Sequence, residues 1–362
     1  MLQKIATLVF LVFLVSGSVN GQQSSPVTKE KEKASIAAMP LINYSRTQGI
    51  LLGALVSKYF DLNKTDTISP SSNAGIFGVY TEQKSYAAFA YSQLYFSKDI
   101  WRITAALGAL DINFQFFLQE PVASTGNFYD YTSEATLALL QVQRNVFKRV
   151  YFGPTASYIK STTTFEIPNA SGADSVSKSH LNNIGYIITN DTRDHVQYPS
   201  VGMFANFKNQ FYRDWVASDF NFERYLLTYN QFFKLKKSDR HVLAIRATVN
   251  VAAGDVPFEG QTVVGGDDIR GYSQGQYRDD QVYTLQSEYR WNFYKRWGMV
   301  AFAGVASAVS KFSDISDTVL PGAGAGIRFK MLPAEKINIG IDGAVGKGDY
   351  SITFRIGESF GR

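Results

Sequence analysis

The sequence predicts an all-β fold: a transmembrane antiparallel β-barrel of about 16 strands. Three observations carry this. From residue 35 onward apolar and polar residues alternate with period two, the pattern of strands that face two different surroundings. Aromatic residues are abundant, with 21 Tyr and 27 Phe, and they sit at strand ends, where a bilayer has its two interfaces. Beyond the first 21 residues no apolar run approaches the ~20 residues that a spanning helix needs.

Residues 1–21 read as a secretory signal: Lys4 gives the positive start, Ile5 to Val15 the apolar stretch, and Val19-Asn20-Gly21 the small residues near a cleavage point. Residues 22–34 are polar and charged and read as a short periplasmic tail. Residues 35–362 are then the barrel, one domain. Export together with a barrel implies the outer membrane of a Gram-negative (diderm) bacterium as the location, and the lipid of that membrane as its surroundings. The chain has no Cys, which excludes disulfides, thiolate metal sites and a lipoprotein anchor cysteine. A net charge of +5 gives no reason to expect nucleic acid.

Turn residues divide the chain into strands near 35–45, 49–61, 72–83, 85–97, 101–118, 129–147, 150–166, 179–193, 201–213, 221–235, 241–253, 281–293, 298–310, 322–332, 337–346 and 351–360. In the segment 281–293, Tyr283, Leu285, Tyr289, Trp291 and Phe293 oppose Thr284, Gln286, Glu288, Arg290 and Asn292, which suits a lipid face and a wet lumen. In the last segment, Ile352, Phe354, Ile356 and Phe360 oppose Thr353, Arg355 and Ser359. Short, often basic turns such as Phe147-Lys148-Arg149 and Tyr294-Lys295-Arg296 alternate with connections that are mostly longer and polar. This matches short periplasmic turns and long outer loops. Residues 62–71 depart from it as a long inner turn.

The longest connection, 254–280, falls outside after the eleventh strand and contains Gly265-Gly266-Asp267-Asp268-Ile269-Arg270-Gly271-Tyr272. A loop of this length is either functional or disordered. The three glycines permit tight turning, and one guanidinium offers a fork for carboxylates. Asp267-Asp268 lacks the alternating ligands of a calcium loop, so no metal is expected. His180, His195 and His241 have no nucleophile in an obvious pairing, so no catalytic residues and no cofactor are expected.

The arginine-glycine-tyrosine tip resembles the sixth outer loop of the BamA/TamA family, also called the bacterial surface antigen barrel. Further stretches resemble the same family: Met39 to Ser45 with Gly49, the turn Asp191-Thr192-Arg193-Asp194 with Tyr198, Pro199 and Gly202, Gly324 to Phe329, and Asn338 to Gly346. The closing Phe354-Arg355-Ile356-Gly357-Glu358-Ser359-Phe360 resembles the segment read by the barrel assembly machinery, here followed by Gly361-Arg362. The resemblance implies that the loop folds into the lumen and that Arg270 pairs with a carboxylate on the wall. The family carries an acid after an aromatic on the thirteenth strand, but this chain has Phe302-Ala303-Gly304-Val305-Ala306. Asp342 is therefore the first expected partner and Glu288 the second. Only 13 residues lie between the expected signal and the first strand, which implies a short member without POTRA modules. Any periplasmic or lipoprotein partner in their place is not named by the sequence.

Two functional readings follow. One is an insertase- or translocase-like barrel with a weak seam between first and last strands, where Gly324, Gly326, Gly340, Gly343 and Gly357 thin the wall. The other is a passive pore or structural surface barrel. A soluble exported sandwich leaves the aromatic strand ends and the closing segment without a reason.

Overall fold

Strands with an apolar outer face leave no unpaired backbone in lipid only when the sheet closes on itself. The computed structural model has this closure and describes residues 35–45, 48–119, 126–165, 175–195, 198–235, 240–332 and 337–360. The expected signal and tail, residues 1–34, lie outside the described residues.

The strands are β1 (Ser35–Ser45), β2 (Gly49–Phe60), β3 (Ser72–Thr81), β4 (Tyr86–Phe96), β5 (Trp101–Gln119), β6 (Gly126–Phe147) and β7 (Val150–Phe165). They continue as β8 (Ser175–His180), β9 (Asn183–Asp191), β10 (Gly202–Tyr212), β11 (Phe222–Lys234), β12 (His241–Gly254), β13 (Thr262–Val263) and β14 (Arg278–Asp279). The last five are β15 (Gln281–Tyr294), β16 (Trp297–Val309), β17 (Leu320–Leu332), β18 (Ile337–Gly346) and β19 (Asp349–Ile356). Each wall strand pairs antiparallel with its neighbour, giving a closed barrel of 16 strands. The expected eighth strand is interrupted, since β8 and β9 both pair with β7 on either side of Leu181 and Asn182. β13 and β14 are a small pair inside the long loop.

The outer face is that of a membrane protein. Tyr80, Tyr86, Tyr225 and Tyr350 are exposed near the outer strand ends, and Phe147, Phe233, Phe293 and Trp297 near the inner ends. Leu107, Leu140, Leu227, Leu285, Ile327 and Ile341 are exposed between them. This is an apolar band between two aromatic girdles.

Closure rests on a short seam. Among the described residues, β1 and β19 share three register pairs, Asn43↔Thr353, Tyr44↔Ile352 and Ser45↔Ser351. With β8 and β9 taken as one interrupted strand, the next shortest wall pairings, β18 with β19 and β3 with β4, have eight. Each backbone hydrogen bond contributes on the order of 1 kcal/mol net, so the seam is the weakest line of the wall.

Two expectations need correction. The last strand does not run to residue 360: β19 ends at Ile356, and Gly357, at φ +80°, turns the chain inward. A positive φ suits glycine, which lacks the Cβ that would clash. Phe360 is therefore buried beside Phe232 and Ala244 and does not share the outer face with Ile352 and Phe354. The lumen is also not uniformly wet. The inner faces of β2–β7 carry a buried apolar cluster that includes Leu55, Phe89, Leu110, Leu137 and Ile159. The runs Leu51 to Val56 and Thr104 to Leu110 are almost continuously apolar, the signature of strands buried on both faces.

Candidate functional site

The long loop enters the barrel and sets its tip against β15–β18. Gly271, at φ +102°, makes this approach possible, because a Cβ there would lie 2.6 Å from the Val345 carbonyl group. Ile269 and Tyr272 are buried with Val282, Ala306 and Leu320, forming an apolar foot under the tip. The Tyr272 hydroxyl donates to the Pro321 carbonyl at 2.6 Å and accepts from the Lys347 amide at 2.9 Å.

Arg270 is buried in the lumen. Its Nε donates to Gln286 Oε1 at 2.8 Å, and its Nη1 donates to Glu288 Oε2 at 2.7 Å and Asp342 Oδ2 at 3.1 Å. Both carboxylates singled out in the sequence thus lie at one guanidinium. Its plane also sits 3.4 Å from the centre of the Phe302 ring. A desolvated cation over an aromatic face gains about 2 kcal/mol. β16, which lacks the acid of the resembling family, supplies this ring.

Around Arg270 the charges form a connected set. Arg290 donates to Glu288 at 2.8 Å, and Arg328 bonds Asp342 at 2.5 Å and Glu358 at 3.0 Å. Arg355 donates to Asp342 at 3.1 Å and to Asp267 at 2.9 Å, while Arg246 holds Asp268 at 2.8 Å. Five arginines thus meet five carboxylates: Asp267, Asp268, Glu288, Asp342 and Glu358. Burying charge is tolerable only when it is paired and hydrogen-bonded, a condition this set meets. Gly326 and Gly340 leave room for it, since a Cβ at either would collide with Asp342 or Arg328. Gly324 similarly admits the Phe302 ring. These glycines read from the sequence as weak points, yet three of the five are space for the arginine cluster.

The turn motif reaches the same cluster from below. Arg193 grips Asp191 with two bonds of 2.8 and 2.7 Å, and Asp194 accepts from the Ser200 amide at 2.8 Å. Gly202, at φ +97°, starts β10. The Pro199 carbonyl accepts from Arg290 at 3.2 Å, and the Tyr198 hydroxyl from Asn292 at 2.8 Å. The closing segment is divided. Phe354 and Ile356 belong to β19, Gly357 makes the turn, and Glu358, Ser359 and Phe360 lie in the lumen. Ser359 donates to Asp267 at 3.3 Å, and the Phe360 carbonyl accepts from Asn230 at 3.2 Å. Gly265 and Gly266 adopt positive φ at the entry to the tip. Sequence reading missed Gln286, Phe302, Arg290, Arg328 and Glu358. The alternation of β15 does put Gln286, Glu288 and Arg290 on one inner face.

The three histidines lie apart. His180 meets Asp219 at 3.2 Å, His195 accepts from the Tyr198 amide at 3.2 Å, and His241 bonds Tyr289 at 2.5 Å. Among titrating groups outside the wall, Asp66 stands out in the inner turn after β2. Partial burial raises its carboxyl, but the Ser69 amide and hydroxyl and the Lys98 and Ile68 amides outweigh this and hold it below the usual carboxylate range. Asp280, at the loop exit, is pushed up by burial and by neighbouring Asp279.

A 16-stranded barrel with an outer loop folded back into an arginine–carboxylate cluster defines a class of outer-membrane protein. The Omp85 superfamily domain model matches residues 70–360, and the chain belongs to that superfamily. Its fold is similar to BamA from Haemophilus ducreyi lacking POTRA domains 1–3, at 13% identity and a TM-score of 0.60, over 97% of this chain and 77% of that one. CdiB from Acinetobacter baumannii is similar at 11% identity and a TM-score of 0.60, over 91% of this chain and 60% of that one. CdiB from Escherichia coli matches at 12% identity and a TM-score of 0.60, over 92% and 66%. Among the curated protein sequences compared, none is similar to this chain.

Proposed function

We propose that this barrel assists insertion or translocation of protein or lipid at the outer membrane, by parting its β1–β19 seam while the Arg270 loop braces the lumen. The observation that carries the reading is the contrast between a seam of three register pairs among the described residues and a loop tied to β18 by the buried Arg270–Asp342 pair and to β19 by the part-buried Asp267–Arg355 pair. A short seam permits lateral opening, and a braced lumen keeps the rest of the wall in shape when it opens. The buried apolar cluster inside β2–β7 argues against a plain aqueous pore, whose lumen is polar. No catalytic step and no cofactor enter this reading. Its partners are outer-membrane lipid, the assembly machinery that reads the closing segment, and any periplasmic or lipoprotein factor that delivers a client.

The seam offers a direct test, because the chain has no native cysteine. The pair Asn43→Cys and Thr353→Cys faces across it and can be oxidised to a lock. Proteoliposomes would be given a urea-unfolded eight-stranded barrel protein, and its integration followed by protease protection. The expected result is faster integration than with empty vesicles, lost on oxidation and regained on reduction. Equal rates with the lock closed and open would rule the seam out.

A further inference from the structure

Two inner turns are built alike. Phe147-Lys148-Arg149-Val150 and Tyr294-Lys295-Arg296-Trp297 are hairpins whose flanking residues pair across two central ones, and each follows a register irregularity. Lys148, at φ +46°, and Lys295, at φ +43°, stand in the left-handed region, which glycine or asparagine occupies at less cost. Each ammonium lies back over the ring before it, 5.1 Å from the centre of Phe147 and 5.2 Å from that of Tyr294. The arginines that follow are tied to the next strand by their carbonyls. Arg149 accepts from the Asp191 amide at 3.3 Å, and Arg296 from the Lys330 amide at 2.7 Å. All four basic side chains are exposed, and none forms an ion pair among the described residues. Arg144 adds a further cation at the first turn. It projects from the lipid-facing wall between its register partners Trp101 and Phe152, with its guanidinium 5.6 Å from the centre of the Trp101 ring. It too has no carboxylate partner among the described residues. Asp99 and Asp191, acids at this end of the barrel, are gripped by Arg102 and Arg193. Three cations thus sit beside Trp101, Phe147 and Phe152 at the inner aromatic girdle. The outer turn between β3 and β4 differs, with Glu82 close to Lys84 in the chain.

We infer that these two turns bind anionic phospholipid of the inner leaflet, with the phosphate held between lysine and arginine and the acyl chains against the neighbouring rings. A cation on a lipid-facing wall is tolerated near the interface, where its long side chain reaches the headgroups. Each basic residue close to an anionic membrane surface favours binding by roughly fivefold. The ring under each lysine already holds the ammonium at girdle level, so less side-chain freedom is lost when a phosphate arrives. The arginine beside it offers two parallel donors to phosphate oxygens. A zwitterionic lipid gains less, because its own ammonium opposes the cluster. An acidic protein in the periplasm would meet the turns but leave Arg144, on the membrane side of the first turn, unmatched. Neither turn lies at the β1–β19 seam, so lipid binding here neither requires nor excludes lateral opening.

Headgroup photocrosslinking in the full chain tests this. Phosphatidylcholine vesicles would carry a trace of either phosphatidylglycerol or phosphatidylcholine, each with the same diazirine near the phosphate. After irradiation, adducts would be mapped by peptide mass spectrometry. The expected result is a several-fold excess of phosphatidylglycerol over phosphatidylcholine adducts at residues 144–152 and 294–297, with no such excess at 82–86. Arg144→Gln should lower the excess at the first turn. Adding Lys148→Gln and Arg149→Gln should abolish it there, while the second turn keeps its own. The single variant, on an exposed face, carries the test should the triple one fail to fold. Equal yields of the two lipids at both turns would overturn the inference, as would an excess that survives the substitutions in folded protein. Equal yields together with binding of soluble poly-glutamate, lost in the triple variant, would assign the turns to an acidic protein instead.

Discussion

Arg355, on the last barrel strand, donates to Asp267 of the long loop at 2.9 Å and to Asp342 of the neighbouring strand at 3.1 Å. One guanidinium thus ties the loop to the strand that closes the barrel. Ser359 adds a second contact to Asp267, and Asp349 accepts from the Ser273 amide at 2.5 Å near the outer end of the same strand. The loop holds β19 at two levels, through Arg355 and Asp349, while three register pairs join β19 to β1 among the described residues. Loop position and seam integrity are therefore physically linked.

Weakening that link should loosen β19. In Asp267→Asn the charge is removed but the shape is kept, and a charge-assisted hydrogen bond contributes about 1.5–3 kcal/mol. Amide hydrogen exchange of residues 350–356 should accelerate roughly tenfold or more, with residues 222–234 of β11 unchanged. Uniform acceleration across the barrel would point to general destabilisation.

Arg270 and Glu288 should be unequal partners. Arg270→Ala leaves Glu288 bonded to Arg290, and Asp342 bonded to Arg328 and Arg355. Glu288→Ala removes the close partner of both Arg270 and Arg290, the kind of loss that costs about 3–5 kcal/mol. Guanidinium unfolding in vesicles should rank Glu288→Ala as the more damaging, and the double variant should show a coupling of roughly 0.5–3 kcal/mol. The reverse order would mean that Glu288 is not the hub of the cluster.

Acid should weaken the inner turn after β2. Asp66 has a folded pKa lowered by hydrogen bonds, so its ionised form stabilises the turn above the unfolded pKa of about 4. That contribution fades as pH falls below this value toward the lower folded pKa. Exchange of the Lys98 and Ser69 amides should rise relative to the wall strands over that range, after correction for intrinsic rates. Asp66→Asn should remove the dependence, and an unchanged profile in that variant would assign it to another group.

Much of the wall was legible because its physics is local. Alternation, aromatic ends and turn residues place most strands within a few residues, and the Arg270 tip stands out as a lone cation among glycines. The lumen cluster was harder to read, because Gln286, Phe302, Arg328 and Glu358 come from four separate segments that only closure brings together. Phe302 was passed over in a search for an acid, although an aromatic face also binds a guanidinium. The turn at Gly357 was hidden by an alternation that continues past the end of β19 to Phe360. The apolar half of the lumen did leave a trace, in runs such as Leu51 to Val56 that alternate poorly because both faces are apolar.

The central claim is that Arg270 holds the loop inside a closed barrel. Single-channel conductance in planar bilayers, wild type beside Arg270→Ala, tests it most directly. The expected result is low, fluctuating conductance in the wild type and a large, longer-lived open level in the variant. Steady conductance that is the same in both would contradict the claim.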